Sequence, residues 1–376
     1  MPADVISLLQ HLVRIPSVNP DNAPGTDQSG EEEIAGFLAG WLEALGAEVE
    51  LEEVQPRRPN LLARFAPRDG RPRILLGPHL DTVGVGGMTV EPFSGELLGG
   101  RVWGRGASDT KGPMAAMLWA LRETRGILAK LPVAVDFVAF MGEESGQWGS
   151  KDFVRRHGAE YVFAVVGEPT DMQVVHVTKG SLWATLRATG KAAHSAQPER
   201  GDNAILKLTR TLDTLDHHLG HALAGFSHPV LGRSTLNVGV IRGGSRPNIV
   251  PDLAEAELDI RITPDLAAAG GGLRLLHELL EDHALPVEII QSHENPPMET
   301  PASHPMVQAL LAVEPAATRL AGAPWFSDAA HLSSGGVPGV CLGPGSINQA
   351  HTVDEFIEIT ALRHGAAFLE AFIRRL

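Results

Sequence analysis

"VAVDFVAFMGEESGQWGS", residues 133–150, decides the architecture. Residues 133–141 are apolar except for Asp136, and Gly142 stops the run. A short apolar run that hardly alternates is a strand buried on both faces, as in a parallel sheet. A Gly-punctuated turn follows, and it opens on two adjacent carboxylates, Glu143 and Glu144. Neighbouring carboxylates repel each other, so a strand end beside a core is a poor place for them unless they have work there. Outward from this stretch, "SKDFVRRHG" is a short helix and "YVFAVVGEP" a second buried strand. Upstream, residues 31–46 and "KGPMAAMLWALRETRGIL" carry helical apolar stripes. "AEVELEEV", "NLLARFAP" and "PRILLGPHLD" are strands. Strands alternating with helices imply an α/β fold, a largely parallel mixed sheet flanked by helices.

The pattern changes near residue 180. "SLWATLRATG", a helix in "DNAILKLTRTLDTLDHHL", the strands "STLNVGVIRGG" and "LAEAELDIRI", a helix in "AAGGGLRLLHELLEDHA" and the strand "PVEIIQS" follow in turn. The order β-α-β-β-α-β is ferredoxin-like and α+β. "HENPPMETPASHP" reads as a Pro-rich linker. After it come a helix at 305–313, the strand "GVCLGP" and a long amphipathic helix over 353–375. The expected organisation is one α/β domain, residues 1–178 and 293–376, interrupted by an inserted α+β domain, residues 179–292.

The chain has 376 residues, 43% hydrophobic and 20% charged, with a net charge of −14. That acidity argues against nucleic acid, which needs clustered Lys and Arg. No apolar run approaches the ~20 residues of a membrane span. The N-terminus reads as an amphipathic helix and not a signal peptide. A single cysteine, Cys341, excludes an internal disulfide and fits a reducing cytoplasm.

In an open α/β sheet, ligands bind beyond the carboxyl ends of the strands. The polar residues there are His79 and Asp81, Glu143 and Glu144, Glu168, and His351 after a Gly-rich loop; Asp109 precedes a helix. A lone histidine at a strand end is usually solvated, and an Asp before a helix is usually an N-cap. The whole set at the mouths of one sheet is better explained as a catalytic site for Zn²⁺, Mn²⁺ or Co²⁺. Two dications about 3.5–4 Å apart neutralise such crowding and share a bridging carboxylate. His79 and Asp81 lie on one face of an extended segment, so Asp81 can accept the ring N–H of His79. No Gly-x-Ser-x-Gly elbow or Walker loop is present. "HELLEDH", residues 277–283, is His-Glu-x-x-Glu, and its apolar spacing marks a core helix.

With these residues in place, the chain resembles the dinuclear zinc amidohydrolases that include acetylornithine deacetylase, succinyl-diaminopimelate desuccinylase, aminoacylase and glutamate carboxypeptidase. The matching pieces are "GPHLDTV", "GRGASDTKGPMAA", "MGEESGQWGS", "VVGEPT", "KAAHSAQPERGDNAI", "GGSRPNIVPD" and "GPGSINQAHTVDEF", in the family's order. The resemblance implies that His79, Asp109 and Glu168 hold one zinc and that Asp109, Glu144 and His351 hold a second, Asp109 bridging. It makes Glu143 the general base and Asp81 the residue that orients His79. The inserted domain is implied to be a lid and a homodimer interface, with His194 stabilising the oxyanion. Asn248 and Arg261, with Lys179, match positions toward the substrate's carboxylate end. The implied reaction is hydrolysis of an N-acyl-L-amino acid, with N-acetyl-ornithine first. Succinyl-diaminopimelate and dipeptides come next, and a non-catalytic metal-dependent binding protein is the alternative of another class. Gly142, Pro113 and Val353 depart from the commonest family residues, but none of them is a ligand.

Overall fold

The protein's structure, a computed structural model, describes residues 2–21 and 28–376. The chain divides into two compact units, residues 1–176 with 299–321 and 327–376, and residues 177–298 with 322–326. The first crossing therefore precedes the expected 178/179. The return follows 292/293, because strand Glu288–Asn295 continues into the stretch expected as linker and pairs Asn295 with Ser181. Residues 298–299 are also in a strand.

In the first unit the sheet runs in the order Glu48–Gln55, Arg58–Arg64, Ala134–Ala139, Arg73–Gly77, Phe163–Val166, Gly339–Cys341. The last four strands are mutually parallel, and the first two pair antiparallel at one edge. The sheet is thus mixed with a parallel centre, and the central strands are wholly buried. The polar residue in the opening stretch is neutralised inside. Asp136 accepts from Arg73 Nε and Nη2, both at 2.8 Å, and from the Tyr161 hydroxyl at 3.0 Å.

Helices Val5–Arg14, Lys111–Leu128 and Ile359–Ile373 pack together, and their apolar stripes share one core with the sheet through Leu8, Leu118, Phe137, Val165 and Phe368. The first helix starts on a capping box, with Asp4 accepting from Ser7 N–H. The helix expected over 353–375 begins only at Ile359. Residues Phe356–Glu358 form a strand against Arg101–Trp103. Pairing there is reinforced by an Arg101–Glu358 ion pair at 2.7 Å and by packing of Trp103 on Phe356.

The second unit contains an antiparallel sheet ordered Thr235–Gly243, Leu253–Ile262, Gly180–Thr189, Glu288–Asn295. Helices Ala204–Ala224 and Gly271–Asp282 connect these strands in β-α-β-β-α-β order. Strand Leu253–Ile262 buries alternate residues, Ala254 to Ile262, against Leu208, Leu215 and Leu276. In Gly271–Asp282, Leu276 and Leu280 are buried and His277 is exposed, as the apolar spacing requires.

Candidate metal centre

All four parallel strands of the first unit deliver polar residues beyond their carboxyl ends. Arg73–Gly77 leads to His79 and Asp81, Ala134–Ala139 to Glu143 and Glu144, Phe163–Val166 to Glu168, and Gly339–Cys341 to the loop with His351. Pairing persists past the strands and aligns them. Leu80 N–H donates to Phe140 at 2.7 Å, Phe140 N–H to Pro78 at 3.0 Å and Gly167 N–H to Gly77 at 3.1 Å. Asp109 comes from the loop before helix Lys111–Leu128. It is not that helix's cap, because Thr110 holds the cap position.

Asp109 is the centre of the arrangement. Its Oδ1 lies 3.1 Å from His79 Nε2 and its Oδ2 3.3 Å from His351 Nε2. His351 Nε2 is also 3.0 Å from a Glu144 oxygen. One ligand atom each from His79, Asp109 and Glu144 lies within 4.8 Å of the others. The two oxygens of one carboxylate thus face two different imidazoles. His351 occupies a left-handed backbone position, φ 62°, and is the exposed member of the set.

The surroundings are short of positive charge. Burial first, then the neighbouring Asp109, pushes Glu168 well above the usual carboxylate range. Burial likewise raises Glu143, and Glu168, Asp328 and Glu144 add to it. Glu144 is raised by burial and by Asp109, against the bond from His351. Bonds to the Asp109 and Glu144 carboxylates lift His351 to about 10. His79, bonded to Asp109 and Asp81, is raised well above normal despite burial. Glu168 Oε1 is buried with no hydrogen-bond partner, a costly state for a carboxylate oxygen. Imidazoles, crowded carboxylates and an orphaned buried oxygen form a donor set that fits divalent cations.

Asp81 differs in detail from its expected role. The oxygen that accepts from His79 Nδ1 is its backbone carbonyl, at 2.9 Å, while its carboxylate stands 3.5 Å from that nitrogen. The carboxylate instead accepts the N–H of Glu143 at 2.9 Å, the N–H of Glu144 at 3.0 Å and the Asn19 amide at 2.7 Å. These bonds draw it away from the ring and onto the turn that carries the adjacent glutamates.

Two buried carboxylates next to the candidate ligands, Asp328 and Glu355, were not singled out from the sequence. Asp328 accepts from Ser150 Oγ at 2.5 Å, leaves Oδ2 buried without a partner, and is pushed by burial to about 7. Glu355 binds the loop that carries Asp109. Its only signal in the sequence is its place four residues after His351.

His194, Asn248, Arg261 and Lys179 lie in the second unit. His194 is exposed on a short strand and its Nδ1 accepts from Ala196 N–H at 3.1 Å. Asn248 is exposed, and its carbonyl accepts from Ser195 N–H at 3.1 Å. Arg261 pairs with Asp259 at 2.8 Å. Lys179 Nζ donates to the Arg233 carbonyl at 2.5 Å. Partial burial, then Arg261 and Arg233, lowers the Lys179 ammonium. Lys179 thus feels the charges of Arg261 and Arg233, of which Arg261 is itself paired with Asp259.

Among the described residues, no helix is long and apolar enough to cross a membrane. Comparison with known proteins gives concordant results. Residues 75–375 match the family model described as peptidase family M20/M25/M40. Acetylornithine deacetylase of Proteus mirabilis (strain HI4320) is 33% identical over 369 residues, covering 94% of this chain and 92% of that protein. An M20 family metallo-carboxypeptidase from Sulfolobus solfataricus superposes with a TM-score of 0.83 over 99% of this chain and 98% of that one, at 20% identity. A dinuclear metal-binding peptidase of the M20 family from Bacillus subtilis superposes with a TM-score of 0.67 over 99% and 97%, at 15% identity. At these identities the two solved structures speak for the fold alone. The chain belongs to peptidase family M20/M25/M40 and is a metal-dependent hydrolase.

Proposed function

We propose that this enzyme hydrolyses the amide of an N-acyl-L-amino acid, N-acetyl-ornithine or a close relative, to the free amino acid and a carboxylate. The observation that carries the reading is Asp109, whose two oxygens face His79 and His351 separately, with Glu143 adjacent in sequence to Glu144. His79, Asp109 and Glu168 would hold one divalent ion, and Asp109, Glu144 and His351 the other, zinc first and cobalt or manganese next. When bound, such a pair polarises the acyl carbonyl and lowers the pKa of water.

The chain's own residues do the rest. Glu143 takes a proton from the attacking water at its carboxylate. The water oxygen bonds to the acyl carbon, the C–N bond breaks, and Glu143 returns the proton to the leaving nitrogen. Burial raises Glu143 above the usual carboxylate range, the direction that helps a carboxylate hold a proton and hand it on. His194 is the proposed donor to the oxyanion. The Lys179–Arg233–Arg261 cations favour a substrate with a carboxylate, a property shared by N-acetyl and N-succinyl amino acids and by dipeptides. The inserted unit is proposed as lid and homodimer interface, and the cytoplasm as the compartment.

The test is a panel of N-acetyl, N-succinyl and dipeptide substrates with zinc and with cobalt, run on three proteins. Glu144→Ala should lose metal. Glu143→Ala should keep metal while the rate falls on the order of 10² or more. Full activity in Glu143→Ala overturns the mechanism, and hydrolysis of nothing in the panel overturns the N-acyl-amino-acid reading.

A further inference from the structure

Outside the candidate ligands, the carboxylate of Glu355 has a dense set of partners. Its Oε1 accepts the N–H of Ser108 at 2.9 Å and of Asp109 at 3.0 Å. Its Oε2 accepts the N–H of Gly106 at 3.0 Å and Arg105 Nη1 at 2.7 Å. All four donors lie on the loop that presents Asp109. The Glu355 carbonyl accepts a further bond there, from Gly104 N–H at 3.0 Å. The Glu355 side chain is wholly buried. Burial raises its carboxyl, and the Asp109 N–H and the Arg105 cation oppose that.

We propose that Glu355 is a positioning residue for the metal centre, holding the Asp109 loop in register with His351. The inference rests on the assignment of Asp109 and His351 as metal ligands. Neither of them sits on a strand of the main sheet, so sheet pairing does not set the distance between them. Asp109 is on a loop, and His351 is on an exposed turn after a Gly-rich segment. Glu355 follows His351 by four residues and clasps the backbone of Asp109 itself, so one buried group fixes both loops.

The surroundings also require a carboxylate. Four donors converge on two oxygens, so the amide of a glutamine would turn its NH₂ onto N–H groups whichever way it faced. Arg105, which also donates to the Gly84 carbonyl at 3.1 Å, would lose its counter-charge. Residues that orient metal ligands from behind typically change metal affinity 10–100-fold when replaced.

The experiment uses metal-free full-length wild type, Glu355→Gln and Arg105→Met. Each is titrated with Zn²⁺ against a chelator of known affinity, and the visible spectrum of each Co²⁺-loaded form is recorded. Arg105→Met removes the ion pair but leaves the Ser108 and Asp109 bonds in place, so it reports what loop destabilisation alone does. The expected result is that Glu355→Gln binds Zn²⁺ roughly 10–100-fold more weakly and shifts the Co²⁺ bands, whereas Arg105→Met stays near wild type in both. If Glu355→Gln does not fold, Glu355→Asp, which keeps the charge one methylene short, is read on the same scale. Tight binding and an unchanged spectrum in the Glu355 variant overturn the proposal, as does an equal loss in Arg105→Met. A wild type that binds no Zn²⁺ overturns the ligand assignment instead.

Discussion

Asp81→Asn tests whether a group that need not touch metal or substrate holds the catalytic pair. In the native protein Oδ1 accepts from Glu143 N–H, and Oδ2 accepts from Glu144 N–H and from the Asn19 amide. Asparagine keeps one acceptor oxygen. With its NH₂ at the Oδ2 position it opposes both the Glu144 N–H and the Asn19 amide, whose own oxygen is already engaged by Asp21 N–H. The less costly orientation therefore turns the NH₂ toward Glu143 and orphans that one N–H. Losing a buried bond to a charged acceptor costs roughly 1.5–3 kcal/mol. Because the orphaned group is the backbone of the proposed base, the cost falls on its placement. At about 1.4 kcal/mol per tenfold, kcat should fall about 10- to 100-fold. KM should change little, since it is not a property of the Glu143 backbone, and bound metal is measured because the Asp81 carboxylate also stands 3.5 Å from His79 Nδ1. The assay is initial rates on N-acetyl-ornithine with excess metal, with metal content measured on the same samples. A kcat within twofold of wild type, with or without a loss of stability, refutes the reasoning.

Two further outcomes follow from the charges of the site. At pH 7 the metal-free protein carries a proton on His351, held to about 10 by Asp109 and Glu144, and despite burial the bonds to Asp109 and Asp81 raise His79 in the same direction. Ligation needs neutral rings, so Zn²⁺ binding should release protons and tighten as pH rises; a binding heat independent of buffer ionisation enthalpy refutes this. Lys111 is wholly buried, its Nζ donates to the Ile15 carbonyl at 2.7 Å, and burial lowers it from 10.5 to about 7. Between those values the unfolded chain binds more protons than the folded one, so this lysine makes stability rise with pH from about 7 to 10.5, by up to ~4 kcal/mol. Denaturant unfolding of Lys111→Met should show that rise removed relative to wild type; parallel pH curves for the two proteins refute it.

Local pattern was legible wherever burial decides structure. Helix Lys111–Leu128 and strand Leu253–Ile262 match their apolar patterns end to end. The residues that converge around Asp109 could be listed from strand ends, because the carboxyl ends of parallel strands must meet. Where a distant partner decides, the pattern misleads. Residues 356–358 continue a helical period, yet pairing with Arg101–Trp103, more than 250 positions earlier, makes them a strand. The role of Glu355 was hard to read for the same reason: apart from Arg105, its partners are backbone N–H groups 246 to 249 positions away, and backbone groups carry no mark in a sequence. Side-chain type does not say whether the carbonyl or the carboxylate of Asp81 stands nearer the His79 ring; in the structure it is the carbonyl, at 2.9 Å against 3.5 Å.

Strand Gly339–Cys341 lies inside the sheet, between Phe163–Val166 and Val174–Thr178. It is made 173 residues after Val166 (339 − 166). At 5–20 residues per second, the growing chain waits roughly 10–35 s with that slot unfilled. Two hydrogen-bonding edges face an open gap for that time, and open edges are templates for the wrong strand. Newly made chains therefore pass through a stage that is vulnerable to mispairing. A chain cut before residue 339 would remain in that stage permanently, without His351 or Glu355 to complete the centre.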